Sequence, residues 1–155
     1  MGFSDMFIKW IKAFYNNIES VCQVNGHIGE PFKVLKGVRQ GCPLSMLLYV
    51  LSQEPLYQAV NQTYQIKSLK LPCKPSKMLG YADDTTFFVD SEISLMYIFT
   101  ILKYFESASG VKLNAQKTKI FGFGSWQGRT VWPYEVKVEV SKIDILGVTY
   151  THNIE

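Results

Sequence analysis

The sequence is short of the features that most readily point to a function. It has only three cysteines, Cys22, Cys42 and Cys73, with no paired spacing. That excludes a disulfide frame or a cysteine-based zinc cluster as the organising feature and fits a reducing compartment. Long apolar runs are missing too. The longest strictly apolar stretch, Met46 to Leu51, is far too short to span a bilayer. The N-terminal MGFSDMFIKWIK scatters acid and lysine among its apolar residues and lacks a signal-peptide layout. There is no internal repeat and no low-complexity tract. The expectation is a soluble, unsecreted, intracellular protein, nuclear or cytoplasmic, with no transmembrane segment and no membrane partner.

What is present is apolar matter and a local excess of positive charge. Of 155 residues, 47% are hydrophobic and 14% aromatic, enough for one domain with a packed core and too much for disorder. Net charge is +3, a weak signal beside its distribution. Between Lys33 and Lys77 stand Lys33, Lys36, Arg39, Lys67, Lys70, Lys74 and Lys77, with Glu54 the one acid among them. Two readings stay open: an ordinary solvated loop, or a positive surface suited to a polyanion.

Along the chain, residues 5–16 repeat apolar side chains at helical spacing, with Ser4 or Asp5 as cap. SVCQV and PFKVL read as hairpin strands around an NGHIGE turn. GVRQGCPLS is a loop, and Ser45 reads as N-cap of a helix through MLLYVLSQEPLYQAV that Pro55 should kink or split. Residues 61–76 are polar, carry Pro72 and Pro75, and read as a loop. Two apolar strands, 77–82 and 85–90, flank Asp83 and Asp84. A helical stripe follows at Leu95, Ile98, Phe99, Leu102 and Phe105, with Ser91 or Ser94 as cap and Gly110 as stop. Residues 117–123 form a short strand, and EVKVEV at 135–140 pairs with 145–150 in a second hairpin. The class is α+β with an antiparallel sheet.

The chemistry concentrates in three stretches. In YADDTTFFV, two carboxylates interrupt a run that otherwise reads as buried strand. Burying an unpaired carboxylate costs several kcal/mol, and adjacent strand residues face opposite ways. A two-residue turn resolves both difficulties by placing Asp83 and Asp84 at a hairpin tip. A plain Asp-Asp turn satisfies the pattern. So does a site for a hard divalent cation such as Mg²⁺, and a carboxylate pair holding two metals about 3.5–4 Å apart supports in-line phosphoryl displacement. In GVRQGCPLS, Gly37 and Gly41 let backbone approach a ligand, and Arg39 and Gln40 add donors for phosphate or base edges. In GVKLNAQKTK, Lys117 falls just before a strand, where it can bind phosphate or protonate a leaving group. Each stretch also has an ordinary structural reading when taken singly.

GVRQGCPLS at 37–45, YADD at 81–84, SGVKLNAQKTK at 109–119 and ILGV at 145–148, in this order, resemble the reverse transcriptases of non-LTR (LINE-type) retrotransposons. The segments MGFSDMFIKWIKAFYNN and VNGHIGEPFKVLKG look like the part preceding the QGCPLS motif there, so the resemblance covers nearly the whole chain. It implies an RNA-directed DNA polymerase and a right-hand polymerase palm: an antiparallel sheet with packed helices on a ferredoxin-like core. It implies two Mg²⁺ ions held by three aspartates, with Mn²⁺ as substitute, and an RNA template, a DNA primer and dNTPs as partners. On this resemblance Asp83 matches the principal metal ligand and Asp84 its neighbour. Tyr81 and Ala82 match residues beside the incoming nucleotide and primer end. Arg39, Gln40 and Gly41 fall in the loop that contacts nucleotide and template. Lys117 matches the lysine held to protonate pyrophosphate, and Leu146 and Gly147 the hairpin that grips the primer.

The departures carry expectations too. The family's further aspartate, on an upstream FDKAFD-like strand, is unmatched. Asp5 stands at a helix start and does not take that role. Fingers, thumb and endonuclease segments are unmatched, and Met46 stands where the family has Pro, a position that prefers Pro without requiring it. The expected organisation is one partial domain over 1–155: helix and hairpin at 1–36, palm core at 37–123 lacking its first catalytic strand, and a primer-grip-like hairpin at 124–155. The expected activity of this chain alone is none. Two alternatives stand beside it: a non-catalytic remnant that at most binds nucleic acid, and a primer-independent nucleotidyl transferase or cyclase with a similar palm.

Overall fold

Ser4 takes extended backbone and its hydroxyl accepts the Phe7 N–H at 3.3 Å, which opens helix α1 (Asp5–Tyr15). The computed structural model describes residues 2–39, 41–69 and 75–152. The chain divides into two compact units, one up to Tyr49 and one from Val50. In the first unit, α1 buries none of its residues. A hairpin follows. Strands β1 (Glu19–Ser20) and β4 (Phe32–Lys33) form its outer pair, and β2 (Gln23–Val24) and β3 (His27–Ile28) its inner pair. Its turn is Asn25-Gly26 alone, both at positive φ, as a type I′ turn requires. The NGHIGE stretch is therefore not all turn, because His27 and Ile28 fold back onto Val24 and Gln23.

Helix α2 (Pro43–Gln62) runs unbroken through Pro55. Helix continuity thus survives the missing N–H, so of the expected kink or split the split does not occur. Its other surprise is its start. Pro43 takes the first helical position, where its absent N–H is no loss. Ser45 lies inside the first turn, is buried, and meets the Tyr15 hydroxyl at 3.3 Å. Cys42 stands just ahead of the helix, and its carbonyl accepts the Ser45 N–H at 3.0 Å. The Leu44 N–H, and then the Ser45 hydroxyl, hold its thiol below the ordinary cysteine value.

The second unit packs around Leu56, Val60, Ile66, Met78 and Ile98. Leu56 and Val60 are one turn apart on α2. Met78 opens strand β5 (Met78–Tyr81), which pairs with β6 (Asp84–Phe87). Ile98 lies on helix α3 (Glu92–Ser109), where Leu95 and Ile98 are buried and Leu102 and Phe105 pack against the core, while Phe99, the fifth residue of the stripe read from the sequence, stacks on Tyr134. The Ser91 hydroxyl caps α3 by accepting the Ser94 N–H at 3.1 Å, and Gly110 closes it in the left-handed region.

At that cap, Asp90 receives the Ser94 hydroxyl at 2.7 Å and the Ser91 hydroxyl at 3.2 Å, with Lys67 at 3.6 Å. The Ser94 contact foremost, then Ser91 and Lys67, hold the carboxyl below its ordinary 3.8. A depressed carboxylate stabilises the fold above its unfolded value, and that contribution disappears as pH falls through the folded value. The side chain is 40% exposed, so screening keeps the contribution under about 1 kcal/mol. Asp90→Asn is therefore expected to lower the urea midpoint slightly at pH 7 and to flatten the loss of stability below pH 3.8. Acid and neutral midpoints identical to the parent's would contradict this.

Strand β7 (Lys119–Phe121) pairs in parallel with β8 (Lys137–Glu139). Glu139 binds them, with Lys119 at 3.2 Å and Lys137 at 2.8 Å. The expected pairing of 135–140 with 145–150 is thereby corrected. The last hairpin joins β9 (Lys142–Ile145) to β10 (Val148–Thr151), because Leu146 and Gly147, at φ 51° and 81°, make a two-residue turn that fixes this register. The segment between β7 and β8 is tied to α3: Tyr134 stacks on Phe99 at 3.8 Å, and Arg129 pairs with Glu92 at 2.6 Å beneath Trp132. Among the described residues the strands form separate two-stranded ladders, four antiparallel and one parallel. The class is α+β as expected, while a single antiparallel sheet is not what these ladders make. No helix of the described residues is long and apolar enough to cross a membrane.

Candidate active site

The β5–β6 hairpin turns on Ala82 and Asp83, and Asp84 is the first residue of β6, directly opposite Tyr81. The carboxylates were expected to form the tip together. The turn is instead displaced by one residue, because Ala82 adopts φ 50°. A positive φ at this position favours glycine, which has no side chain to clash with the backbone. For an alanine the left-handed region costs about 1–2 kcal/mol, and strain of this kind concentrates at functional sites. Alternation along β5 sets the faces: Met78 is buried, while Leu79 and Tyr81 are 52% and 69% exposed. Asp84, paired with Tyr81, shares that outer face, and Asp83 is exposed on the turn.

Beneath the turn the sequence holds two residues not read as functional. Gly80 has no side chain because the Tyr57 phenol of α2 occupies the space: a first side-chain carbon there would lie 1.5 Å from the Tyr57 hydroxyl oxygen. A glycine within a strand is the one signal for such a close approach. Lys77, at the foot of the hairpin, places its ammonium 3.3, 2.7 and 2.8 Å from the carbonyls of Val60, Asn61 and Thr63. It neutralises the open C-terminal end of α2. Lys77 and the Asp90-paired Lys67 are thus engaged within the protein, which favours the structural reading for that part of the basic stretch. Lys70 and Lys74 lie outside the described residues.

The remaining sequence-read residues sit on separate elements. Arg39 and Gly41 are exposed on the loop before α2, in the first unit, and Gln40 lies outside the described residues. Lys117 is exposed on a turn set by Asn114, whose carbonyl and side-chain oxygens accept the Lys117 N–H at 3.1 and 3.2 Å. Leu146 and Gly147 form the exposed tip of the β9–β10 hairpin. Leu146, like Ala82, is a non-glycine residue at positive φ on a hairpin turn.

Two adjacent exposed carboxylates are hard oxygen donors. Among the described residues no group of three or more acidic, histidine or cysteine side chains could hold a metal ion. The pair suits Mg²⁺ bound by one or two carboxylates together with substrate phosphates, and does not form a closed protein cage.

The family described as reverse transcriptase (RNA-dependent DNA polymerase) matches residues 1–150. The chain belongs to that family. Relatives of this reverse transcriptase segment include the transposon TX1 uncharacterized 149 kDa protein of Xenopus laevis, 28% identical over 76% of this chain. A retrovirus-related Pol polyprotein from a type-1 retrotransposable element R2 of Popillia japonica is 28% identical over 84% of it. That of the type-2 element R2DM of Drosophila melanogaster is 26% identical over 72%. The aligned stretch spans 9%, 21% and 10% of those proteins' own lengths. The retrotransposon reverse transcriptase resemblance drawn from the four ordered motifs therefore holds.

Proposed function

We propose that this chain is the part of an RNA-directed DNA polymerase palm that presents two metal-binding carboxylates and the start of the primer grip. The observation that supports this most is the exposed Asp83–Asp84 pair on a strained, braced hairpin turn, within a segment matched to the reverse transcriptase family over residues 1–150. The reaction is transfer of a nucleotidyl group from a dNTP to a primer 3′ end on an RNA template. Asp83 and Asp84 would hold Mg²⁺, or Mn²⁺ in its place. Two such ions, when bound, stabilise the attacking and leaving oxygens of an in-line displacement. Tyr81 and Ala82 lie beside the nucleotide and primer end. Arg39, Gln40 and Gly41 offer donors to phosphate, sugar and base edges. Lys117, exposed and positively charged, gives its proton to the departing pyrophosphate. Leu146 and Gly147 set an apolar hairpin tip against the primer.

By itself the chain does not extend a primer in this reading, because no third carboxylate joins Asp83 and Asp84 among the described residues. Incubation with an RNA template, DNA primer, dNTPs and Mg²⁺ or Mn²⁺ is expected to give no elongated product. Extension that disappears in Asp83→Ala contradicts the inactivity and retains the polymerase reading. Extension that persists in Asp83→Ala contradicts the site. The same missing carboxylate favours a second reading, a remnant that binds nucleic acid without metal. It predicts RNA binding that neither Mg²⁺ nor Asp83→Ala alters.

A further inference from the structure

The carboxylate turn stands on a strand whose inner face is filled by another element's side chain. Gly80 and Met78 share the core-facing side of β5. Met78 is 5% exposed, and the space above Gly80 belongs to Tyr57 of α2. A side chain at Gly80 would meet the Tyr57 hydroxyl oxygen at 1.5 Å and Cζ at 2.9 Å, closer than van der Waals contact allows. Tyr57 is itself partly buried against the Leu56–Val60–Ile98 core, while Gly80 is exposed on its strand. The C-terminal end of α2 is anchored to the foot of the same strand through Lys77. One residue beyond the Tyr57 contact comes Tyr81, then Ala82 at φ 50°, then the carboxylates. A left-handed alanine persists only where its surroundings over-determine the backbone, and the seated phenol is such a constraint.

We propose that Tyr57 is a positioning residue for the carboxylate turn: its ring, seated in the notch left by Gly80, fixes the strand and so the place of Asp83 and Asp84. This rests on the reading of that turn as a divalent-cation site. The ring touches neither the metal nor the substrate in this role. It acts through the backbone, and supporting groups of this kind decide whether a site is held closely enough to work.

The test uses the whole chain and Mn²⁺ as probe, with Asp83→Ala/Asp84→Ala to define binding at the turn. Tyr57→Leu and Gly80→Ala are each expected to weaken Mn²⁺ binding on the order of tenfold, in the range of coupled neighbours. The double variant is expected to lose less than the sum, because leucine removes the hydroxyl that the new methyl would strike. Tyr57→Phe keeps the ring and stays within about twofold of the parent, the scatter of uncoupled sites. Ser91→Ala, which removes the α3 cap and costs about 0.5–2 kcal/mol of stability, leaves the affinity unchanged and so separates positioning from general destabilisation. A Tyr57→Leu chain that binds Mn²⁺ as the parent does, or weakens only as Ser91→Ala does, overturns the proposal and leaves the metal reading standing. A parent chain no better than Asp83→Ala/Asp84→Ala overturns the metal reading and the proposal with it.

Discussion

Ile98→Ala is expected to cost about 2–5 kcal/mol, the range for removing a large aliphatic side chain from a packed core. Ile98 is 2% exposed and lies in the cluster where α2, α3 and the foot of the β5–β6 hairpin meet. Truncating it removes the transfer energy of three carbons and leaves a cavity bounded by Leu56, Val60, Ile66 and Met78, which relax only in part. Domain stabilities are about 5–15 kcal/mol, so a loss of this size takes away a large share of the total. Met96, on the outer side of the same helix and 49% exposed, provides the contrast: Met96→Ala should fall within about 0.5 kcal/mol of the parent. Urea unfolding with an unchanged slope measures both. An Ile98→Ala loss below about 1 kcal/mol would mean that these residues do not form the shared core from which the carboxylate hairpin rises.

Helices α1 and α3 were legible because each announces itself twice. The α3 stripe at Leu95, Ile98, Leu102 and Phe105 is bracketed by Ser91 and Gly110, and stripe and caps agree. The YADD turn was legible because two carboxylates cannot sit in a buried strand. Its position was misread by one residue because nothing in an alanine announces a left-handed φ. Ile66 escaped notice in a stretch read as a polar loop, yet it is 1% exposed. Whether such a residue turns inward depends on what lies opposite, here Val60 and Met78, and no local pattern carries that. EVKVEV reads clearly as strand, but alternation specifies a face and leaves the partner open. The partner was decided by Leu146-Gly147, which closes 142–151 on itself and leaves 137–139 to Lys119–Phe121. Ser45 is a good capping residue, but Pro43 two positions earlier is the better helix opener, and the hydroxyl went inward to Tyr15. Tyr57 was unreadable as part of the site because its role exists only where α2 crosses Gly80.

Removing both carboxylates of the turn is expected to abolish divalent-cation binding by the chain. Asp83 and Asp84 are exposed and adjacent, and among the described residues no third ligand of the right chemistry joins them. Two carboxylates without a surrounding cage bind weakly, with a Kd on the order of 10⁻³ M. Asp83→Ala/Asp84→Ala should therefore leave no saturable binding at the turn, a loss of roughly a hundredfold or more, well beyond the loss expected of Tyr57→Leu. The fold should survive, because neither side chain belongs to the core cluster. If melting temperature and far-UV spectrum stay with the parent while binding disappears, the loss belongs to the site.

The measurement that decides most directly whether this turn is a metal site is a Mn²⁺ titration followed residue by residue through paramagnetic broadening of backbone amide signals. Broadening that begins at Tyr81 to Thr85, is displaced by Mg²⁺ and is absent from Asp83→Ala/Asp84→Ala is the predicted result. Broadening centred on other acidic residues, such as Glu139 or Asp144, or a turn response that survives loss of both aspartates, would contradict it.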